Sequence, residues 1–185
     1  MINNQFYNNY FKDYFNKVLS IDKKQLDFFL KKIVSLKKNN KVIIIGNGGS
    51  ASIASHVSVD FCKILKIRAV NFNEANLITC YSNDYGYENW VVEALKSFAL
   101  KNDIIIFISS SGSSANIVNG CRFAKKKSIY SITFSGFKRN NPLSKIGNLN
   151  FWVNSNKYNI IEMTHQSWLL YIVDYLRYKL NNKKY

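Results

Sequence analysis

The sequence has few of the features that mark secreted or membrane-spanning proteins. Its three cysteines, Cys62, Cys80 and Cys121, are odd in number and widely spaced, which fits neither a disulfide framework nor a thiolate metal site. Its apolar runs reach five or six residues, whereas a membrane-spanning helix needs roughly 20. The first residues show no basic segment followed by an apolar stretch and a small-residue cleavage site, so they do not indicate a signal peptide. We therefore expect a cytoplasmic protein without a membrane partner.

Acidic residues and prolines are also scarce. The 185 residues include 11 acidic and 26 basic side chains, a net charge of +15, which attracts nucleic acid, anionic membranes and phosphorylated metabolites alike. The basic residues are scattered and no motif that reads nucleic acid is present, so we interpret most of them as solvated surface and do not expect a nucleic-acid partner. With a single proline and no shift in composition, the chain shows no domain boundary.

Helical and strand patterns follow one another along the chain. Two stripes of apolar residues at helical spacing, beginning at Phe6 and Leu26, predict two helices within residues 1–40, and Asp22 or Ser20 is a candidate cap for the second. The order predicted after that is strand 42–45, helix 51–65, strand 103–108, helix 114–126, strands 128–134 and 149–153, and helix 160–180. Fully apolar strands that alternate with helices predict a parallel sheet covered on both faces.

Two turns that follow these strands carry the clearest ligand signal. In the serine turn, residues 109–114, five of six residues are serines around one glycine. Such a turn can bind an anion through its free backbone N–H groups and the positive end of the helix dipole. The glycine turn, residues 46–50, loosely matches the dinucleotide fingerprint. However, Glu74, the nearest acidic candidate, follows no clear strand, and no phosphate-loop Gly-Lys-Ser/Thr is present. Two such turns at the carboxyl ends of parallel strands predict a site for a phosphorylated ligand.

The chain has only two histidines, and each has a carboxylate at helical spacing. Asp60 lies four residues after His56, and Glu162 lies three residues before His165, so each pair shares one helix face. If the two helices meet, the four side chains form a cluster suited to proton transfer or to a divalent metal. Alternatively, each pair is a hydrogen-bonded histidine in the core or at a subunit interface. The spacing alone leaves both interpretations open.

Three ordered motifs resemble those of the bacterial phosphoheptose isomerases of the sugar isomerase (SIS) fold. They are Gly46-Asn47-Gly48-Gly49-Ser50-Ala51 followed by His56, then Asn83-Asp84-Tyr85-Gly86-Tyr87-Glu88, then Ile108-Ser109-Ser110-Ser111-Gly112-Ser113-Ser114. The resemblance covers nearly the whole chain. It implies a flavodoxin-like three-layer α/β/α sandwich with a parallel five-stranded sheet, formed by a single SIS domain over residues 1–185. It further implies N-terminal helices in residues 1–40 for packing and oligomerisation, an α/β core in residues 41–185, and a homotetramer with shared active sites.

The resemblance also assigns substrate-binding roles. It implies that the serine turn binds a phosphate and that the glycine turn, with Asp84, contacts the sugar. The expected substrate-binding residues are Asn47, Gly48, Gly49, Ser50, Asp84, Ser109, Ser110, Ser111 and Ser114. A sugar phosphate is therefore the expected ligand.

The acid–base residues depart from the family pattern. The similar isomerases carry a histidine and a glutamate after the first turn, and a glutamine and a histidine eight residues apart on the last helix; in many members these four bind zinc. His56 matches the first of them, but Asp60, Glu162 and Leu170 replace the other three. His165 matches a further histidine that the family often carries, and Asn159 stands near a position where an aspartate is usual. The resemblance thus raises zinc as a cofactor, with His56, Asp60, Glu162 and His165 as the candidate ligands.

The resemblance implies an isomerase that interconverts a ketose phosphate and an aldose phosphate, such as sedoheptulose 7-phosphate and a heptose 7-phosphate, for surface-polysaccharide synthesis. This reaction needs a base to move a proton between neighbouring carbons and an acid or metal to polarise the carbonyl oxygen. We expect a rearranged catalytic set, with Glu162 as the base, His165 or His56 as the acid and Asp60 beside His56. The alternative is a non-catalytic SIS adapter that binds the replication initiator, which the loss of the family histidine at Leu170 favours.

Overall fold

The computed structural model describes residues 2–182, and one parallel five-stranded sheet lies at its centre. The strands are β1 (Val42–Gly46), β2 (Ala69–Val70), β3 (Ile104–Ser109), β4 (Tyr130–Ser135) and β5 (Leu149–Trp152). Their spatial order is β2-β1-β3-β4-β5, and every neighbouring pair is parallel. Gly46 at the end of β1 pairs with Ile108 near the end of β3. The glycine turn and the serine turn therefore start side by side.

Helices cover both faces of this sheet, which confirms the predicted α/β class with its three layers. They are α1 (Asn4–Leu19), α2 (Lys23–Val34), α3 (Gly49–Lys63), α4 (Ala75–Tyr85), α5 (Trp90–Phe98), α6 (Ala115–Lys126) and α7 (Tyr158–Asn182), with a short 3-10 helix at Leu143–Lys145. Within residues 2–182, none of these helices combines the length and the apolar character that crossing a membrane requires.

Alternating strand residues divide the core into two layers. Ile44 and Ile106 face one side, where they join the buried faces of α2, α3 and α7. Ile43, Ile45 and Phe107 face the other side and pack with α5 and α6. Successive side chains of a strand point to opposite faces of a sheet, and both faces are covered here, so β1 and β3 are buried along their whole length. This is why their sequences are continuous apolar runs.

The sequence patterns missed the segment between α3 and β3. It contains β2, which has only two residues and pairs Ala69 with Val42 at the edge of the sheet. Two residues are too few to show any periodicity. The same segment contains α4, none of whose residues is buried, and α5, which buries Trp90 and Leu95.

The two N-terminal helices form as predicted but are buried to different degrees. The Asp22 carboxylate caps α2 by accepting hydrogen bonds from two backbone N–H groups of its first turn, whereas Ser20 ends α1. α1 has no buried residue. It packs on α7 through a 2.6 Å hydrogen bond between Tyr14 Oη and Ser167 Oγ, and through the Trp168 indole N–H, which donates to the Val18 carbonyl at 2.8 Å.

Candidate active site

The two turns enclose a small cavity of about 130 Å³ at the carboxyl edge of the sheet. Its walls combine both turns with the start and first turn of α7: Asn47, Ser50, Ile108, Ser109, Ser110, Ser111, Ser114, Tyr158 and Glu162. Six of the nine predicted substrate-binding residues thus lie together, and the predicted base Glu162 lies with them. This position, beyond the carboxyl ends of adjacent parallel strands, is where open α/β sheets bind ligands.

The serine turn presents hydroxyl and backbone donors to this cavity. Ser109 Oγ and Ser114 Oγ are 3.1 Å apart, and Ser114 is the residue that precedes the first turn of α6. The first N–H groups of a helix have no partner within the helix, and the helix dipole makes this end positive. Hydroxyls, free N–H groups and the positive end of a helix dipole are the groups from which proteins build anion-binding sites.

The glycine turn contributes the start of a second helix. Gly48 has φ of +53° and precedes Gly49, the first residue of α3. A glycine adopts this left-handed conformation without the steric cost that a β-carbon would add, so the chain turns directly from β1 into α3. The unpaired N–H groups of Gly49 and Ser50 lie at the positive end of α3.

A pair of asparagines joins the glycine turn to the first turn of α6. The Asn47 and Asn116 side-chain amides donate to each other, each at 2.9 Å, and Asn116 is only 2% exposed. Tyr87 Oη donates a further bond of 3.4 Å to the side-chain Oδ1 atom of Asn47. Asn47 therefore holds the glycine turn against α6, and one amide hydrogen remains for a ligand. Sequence reasoning missed Asn116 and Tyr87, because nothing in a sequence pairs positions 47 and 116.

Glu162 reaches from α7 to the point where the two turns meet. Ser110 Oγ donates to its Oε1 atom at 3.4 Å. The carboxylate lies against Gly49, where an added β-carbon would overlap it. Gly49 therefore leaves room for the carboxylate at the positive end of α3, which is a favourable place for a negative charge.

A larger cavity of about 480 Å³ continues on the other side of Glu162. Its lining residues are Tyr10, Gly49, Ser52, Ile53, His56, Asn159, Glu162, Met163 and Gln166. Glu162 is thus common to both cavities. A phosphorylated sugar with its phosphate in the serine turn would extend past this carboxylate into the larger cavity. Tyr10, Met163 and Gln166 were not predicted, although Gln166 lies one helical turn after Glu162, which is a readable spacing.

His56 and Asp60 are in contact across one helical turn, as their spacing predicts. His56 Nε2 lies 3.3 Å from Asp60 Oδ2, and His56 Nδ1 lies 3.5 Å from Gln166 Nε2. The carboxylate favours a proton on Nε2, so Nδ1 is the nitrogen that accepts from the Gln166 amide. His56 lines the larger cavity, whereas Asp60 supports it from the same helix face.

His165 lies in the core and is not part of the predicted cluster. It is fully buried, its ring packs against Phe134 at 5.6 Å between centroids, and its Nε2 lies 3.1 Å from the Ser135 carbonyl oxygen. Burial lowers the pKa of His165 to about 4, although the Ser135 bond acts in the opposite direction. The apolar stripe of α7 turns this side chain towards the sheet, while Glu162, three residues earlier, remains at the cavity.

Asp84, which was expected to bind the sugar, lies away from both cavities. Asp84 is exposed at the end of α4, accepts a bond from Asn83 Nδ2 at 2.9 Å and lines neither cavity.

The residues present do not fit the expected zinc set, because Leu170 offers no ligand atom and His165 is buried away from the other three. Across the described residues, 2–182, no three His, Cys, Asp or Glu side chains lie close enough to hold a metal ion.

Comparison with known proteins places this chain in a family. A family model described as SIS domain matches residues 6–136. The phosphoheptose isomerase of Thermodesulfovibrio yellowstonii is 33% identical over 141 residues, which cover 73% of this chain and 69% of that protein. Phosphoheptose isomerase 2 of Campylobacter jejuni is 36% identical over 115 residues, which cover 58% of this chain and 56% of that protein.

A solved structure confirms the fold. The phosphoheptose isomerase of Neisseria gonorrhoeae superposes with a TM-score of 0.86 at 18% identity, and the match covers 95% of this chain and 98% of that chain. The family model, the relatives and this superposition agree with the resemblance carried by the three motifs. The chain belongs to the SIS domain family, and within it is similar to the phosphoheptose isomerases.

Proposed function

We propose that this protein is a phosphosugar isomerase that interconverts a ketose phosphate and an aldose phosphate. The observation that carries the proposal is the position of Glu162, the one carboxylate that lines both the serine-turn cavity and the larger cavity. Sedoheptulose 7-phosphate and a heptose 7-phosphate are the substrate pair we propose, as the names of the similar proteins suggest. Its product would supply a sugar for a surface polysaccharide.

In this proposal the geometry divides the work between binding and proton transfer. The serine turn holds the phosphate, and the sugar chain lies along Glu162. The Glu162 carboxylate takes a proton from the carbon next to the carbonyl and returns it to the former carbonyl carbon. A second proton passes from the neighbouring hydroxyl oxygen to the former carbonyl oxygen, so that two protons move and no cofactor is consumed. The free N–H groups at the start of α3 are donors that can stabilise the enediolate oxygen. His56, held by Asp60 and Gln166, is the imidazole of the larger cavity that can take the hydroxyl proton on Nδ1 and deliver it to the former carbonyl oxygen.

The test is turnover of sedoheptulose 7-phosphate by the purified protein, with aldose formation as the readout. We expect Glu162→Gln to lower kcat by about 10²- to 10⁴-fold, because an amide cannot accept the proton. Glu74→Gln is the matched control, since Glu74 is exposed and its side chain makes no capping bond, and we expect it to leave kcat unchanged. Full activity of Glu162→Gln would contradict the role of Glu162, and no turnover of any ketose phosphate by the unsubstituted protein would contradict the isomerase.

The same assay addresses the cofactor. Parallel samples receive EDTA or zinc before the substrate. Because the described donors do not form a zinc site, we derive no step through a metal and expect equal rates in the two samples. A rate that depends on zinc would require donors from another subunit. The adapter alternative is not favoured, because the similar proteins are named as isomerases.

We also propose that copies of the chain assemble as a homotetramer that shares its active sites. The supporting observation is the exposed apolar face of α1, where Tyr7, Phe11, Phe15 and Leu19 are 53%, 40%, 60% and 78% exposed. Exposed apolar patches of this kind mark interaction surfaces, and Tyr10 of the same helix lines the larger cavity. Light scattering should give about four times the mass of one chain, and a monomer would contradict the proposal.

A further inference from the structure

A separate concave site lies at the opposite edge of the sheet. Its volume is about 560 Å³, larger than either cavity at the carboxyl edge. Its walls include Asp103, Ile129 and Asn148, which immediately precede β3, β4 and β5, so it lies at the amino ends of these strands. Since β3 has six residues, this amino-edge cavity is roughly 20 Å from the serine turn.

Five lysines from separate segments converge on the amino-edge cavity. They are Lys32 in the last turn of α2, Lys37 in the loop after it, Lys101 before β3, Lys125 in the last turn of α6, and Lys145 in the 3-10 helix. In the part of the chain that the structure describes, none of the five forms an ion pair. A concave wall that carries charge of one sign concentrates the electric field at its centre.

The one acidic residue of this cavity does not offset these charges. Asp103 has a fully buried side chain that pairs with Lys41 Nζ at 2.7 Å. It also accepts bonds from the backbone N–H groups of Lys41 and Leu100. Burial by itself would raise the pKa of Asp103, but these bonds hold it below its ordinary value. Its charge is therefore already neutralised by Lys41, and the five lysines face the cavity without a counterion.

Helix dipoles account for only part of this cluster. Lys32 and Lys125 lie in the last turns of α2 and α6, where a cation is favoured by the negative end of the helix. Lys37, Lys101 and Lys145 lie outside the α-helices, so an interaction with a helix dipole does not explain their positions. A neighbouring cavity of about 390 Å³ shares Lys37 and adds Lys38, Lys66 and Arg68, which extends the positive field along the same edge.

We propose that the amino-edge cavity binds a small anion that carries two or more linked phosphates, and that it recognises the phosphates themselves. A volume of 560 Å³ falls within the range of small-molecule sites, and compact lysine charges suit phosphate oxygens. Nucleic acid fits less well, because single strands are held by stacking on aromatic rings. The one aromatic ring of the lining, Tyr130, is covered by Lys32 Nζ at 4.6 Å from its centroid.

The test is calorimetric titration with inorganic pyrophosphate and orthophosphate at 0.15 M ionic strength. We expect pyrophosphate to bind at least tenfold more tightly than orthophosphate. The triple variant Lys37→Gln, Lys101→Gln, Lys145→Gln should lose at least tenfold in pyrophosphate affinity. The control triple Lys12→Gln, Lys24→Gln, Lys138→Gln removes the same charge from exposed positions outside the cavity and should lose less than threefold. An equal loss in both triples would overturn the proposal, because it would indicate nonspecific attraction.

Two more arms separate this cavity from the candidate active site and identify the source of the phosphates. Ser111→Asp places a negative charge in the serine turn and should leave pyrophosphate binding unchanged, whereas abolished binding would move the ligand to that turn and overturn the proposal. Tighter binding of ADP than of pyrophosphate would support a nucleoside-linked diphosphate, and the reverse a free one. Displacement of pyrophosphate by an equal phosphate concentration of single-stranded oligonucleotide would overturn the small-anion assignment. Because this edge takes no part in the proposed isomerisation, loss of its binding should leave the turnover rate unchanged.

Discussion

Glu162 and His165 lie three residues apart on α7 and have opposite environments. Glu162 is half-buried, accepts a bond from Ser110 and faces two cavities. His165 is fully buried against Phe134, and its Nδ1 atom has no hydrogen-bond partner in residues 2–182. One side chain borders the two cavities of the candidate site, and the other is a neutral part of the core. Their spacing places both side chains on one broad face of α7, but the sheet covers only the side of that face that carries His165.

The difference shows what helical spacing can and cannot determine. It gives the angle between two side chains around a helix, about 60° here, but not how the helix is rotated against its neighbours. That rotation follows from burial of the large apolar residues of α7, among them Trp168 and Leu169, because their removal from water dominates the packing energy. Stability and activity should therefore respond separately to changes on the two sides of α7.

The largest effect on stability should come from removing the buried ring. His165→Ala leaves a cavity among Phe134 and Trp168 and should lower the free energy of unfolding by about 3 to 4 kcal/mol. Glu162→Ala, on the half-buried side, should change it by less than about 1 kcal/mol. Urea denaturation measures both. Loss of turnover in a His165 variant that is still folded would contradict the contrast, since it would place His165 in the active site.

Acid should act on the same buried ring. The folded protein keeps His165 neutral down to a pKa of about 4, whereas the unfolded chain takes up a proton below the ordinary pKa of 6.5. The unfolded state thus binds more protons as the pH falls from 6.5 to 4, and the free energy of unfolding should decrease by up to about 3 kcal/mol across this window. Above pH 6.5 the His165 ring is neutral in both the folded and the unfolded state, so it causes no loss of stability there. Denaturation at a series of pH values measures it.

His165→Leu is the matched variant for the acid effect. It should remove up to about 1.4 kcal/mol per pH unit from the slope of stability against pH below 6.5. His56→Gln serves as the control for the exposed histidine. An unchanged slope in His165→Leu, together with a reduced slope in His56→Gln, would contradict the comparison, because it would assign the loss of stability in acid to the exposed histidine.

The smallest effect should come from Gly49, which leaves room for the Glu162 carboxylate. In Gly49→Ala the new β-carbon overlaps that carboxylate, so Glu162 must move and kcat should fall about tenfold, as expected for a misplaced catalytic group. Stability should change by no more than about 1 kcal/mol, because Gly49 is exposed and has ordinary helical geometry. Steady-state kinetics measures the first effect. An unchanged kcat would show that the exact place of Glu162 does not matter.

Much of the fold could be predicted because its strongest signals are local. The apolar runs of β1 and β3 and the two turns after them were identified, and the helices that follow begin within two residues of the predicted starts. Helix ends are set by capping geometry, so α3 starts at Gly49 and α7 at Tyr158, each two residues before the prediction. The short β2 and the exposed α4 gave no periodic pattern, since periodicity arises from burial on one face.

The candidate site could be predicted where its residues are close in sequence. Ser109 to Ser114 needed only their own turn to form a cavity wall, and His56 needed only one helical turn to reach Asp60. By contrast, the reciprocal bonds of Asn47 and Asn116 and the contact of Glu162 with Gly49 join positions that are far apart along the chain. They depend on which strands are neighbours and on how α7 lies across them.

By itself, the sequence determined the class of the protein: strands buried on both faces, helices between them, and two polar turns suited to an anion, because each of these depends on short-range patterns and backbone geometry. Only the tertiary structure decided that His165 belongs to the core and Glu162 to the cavities. It also gathered lysines that are scattered in sequence along the amino edge of the sheet. Both outcomes follow from the packing of distant segments, which no local pattern records.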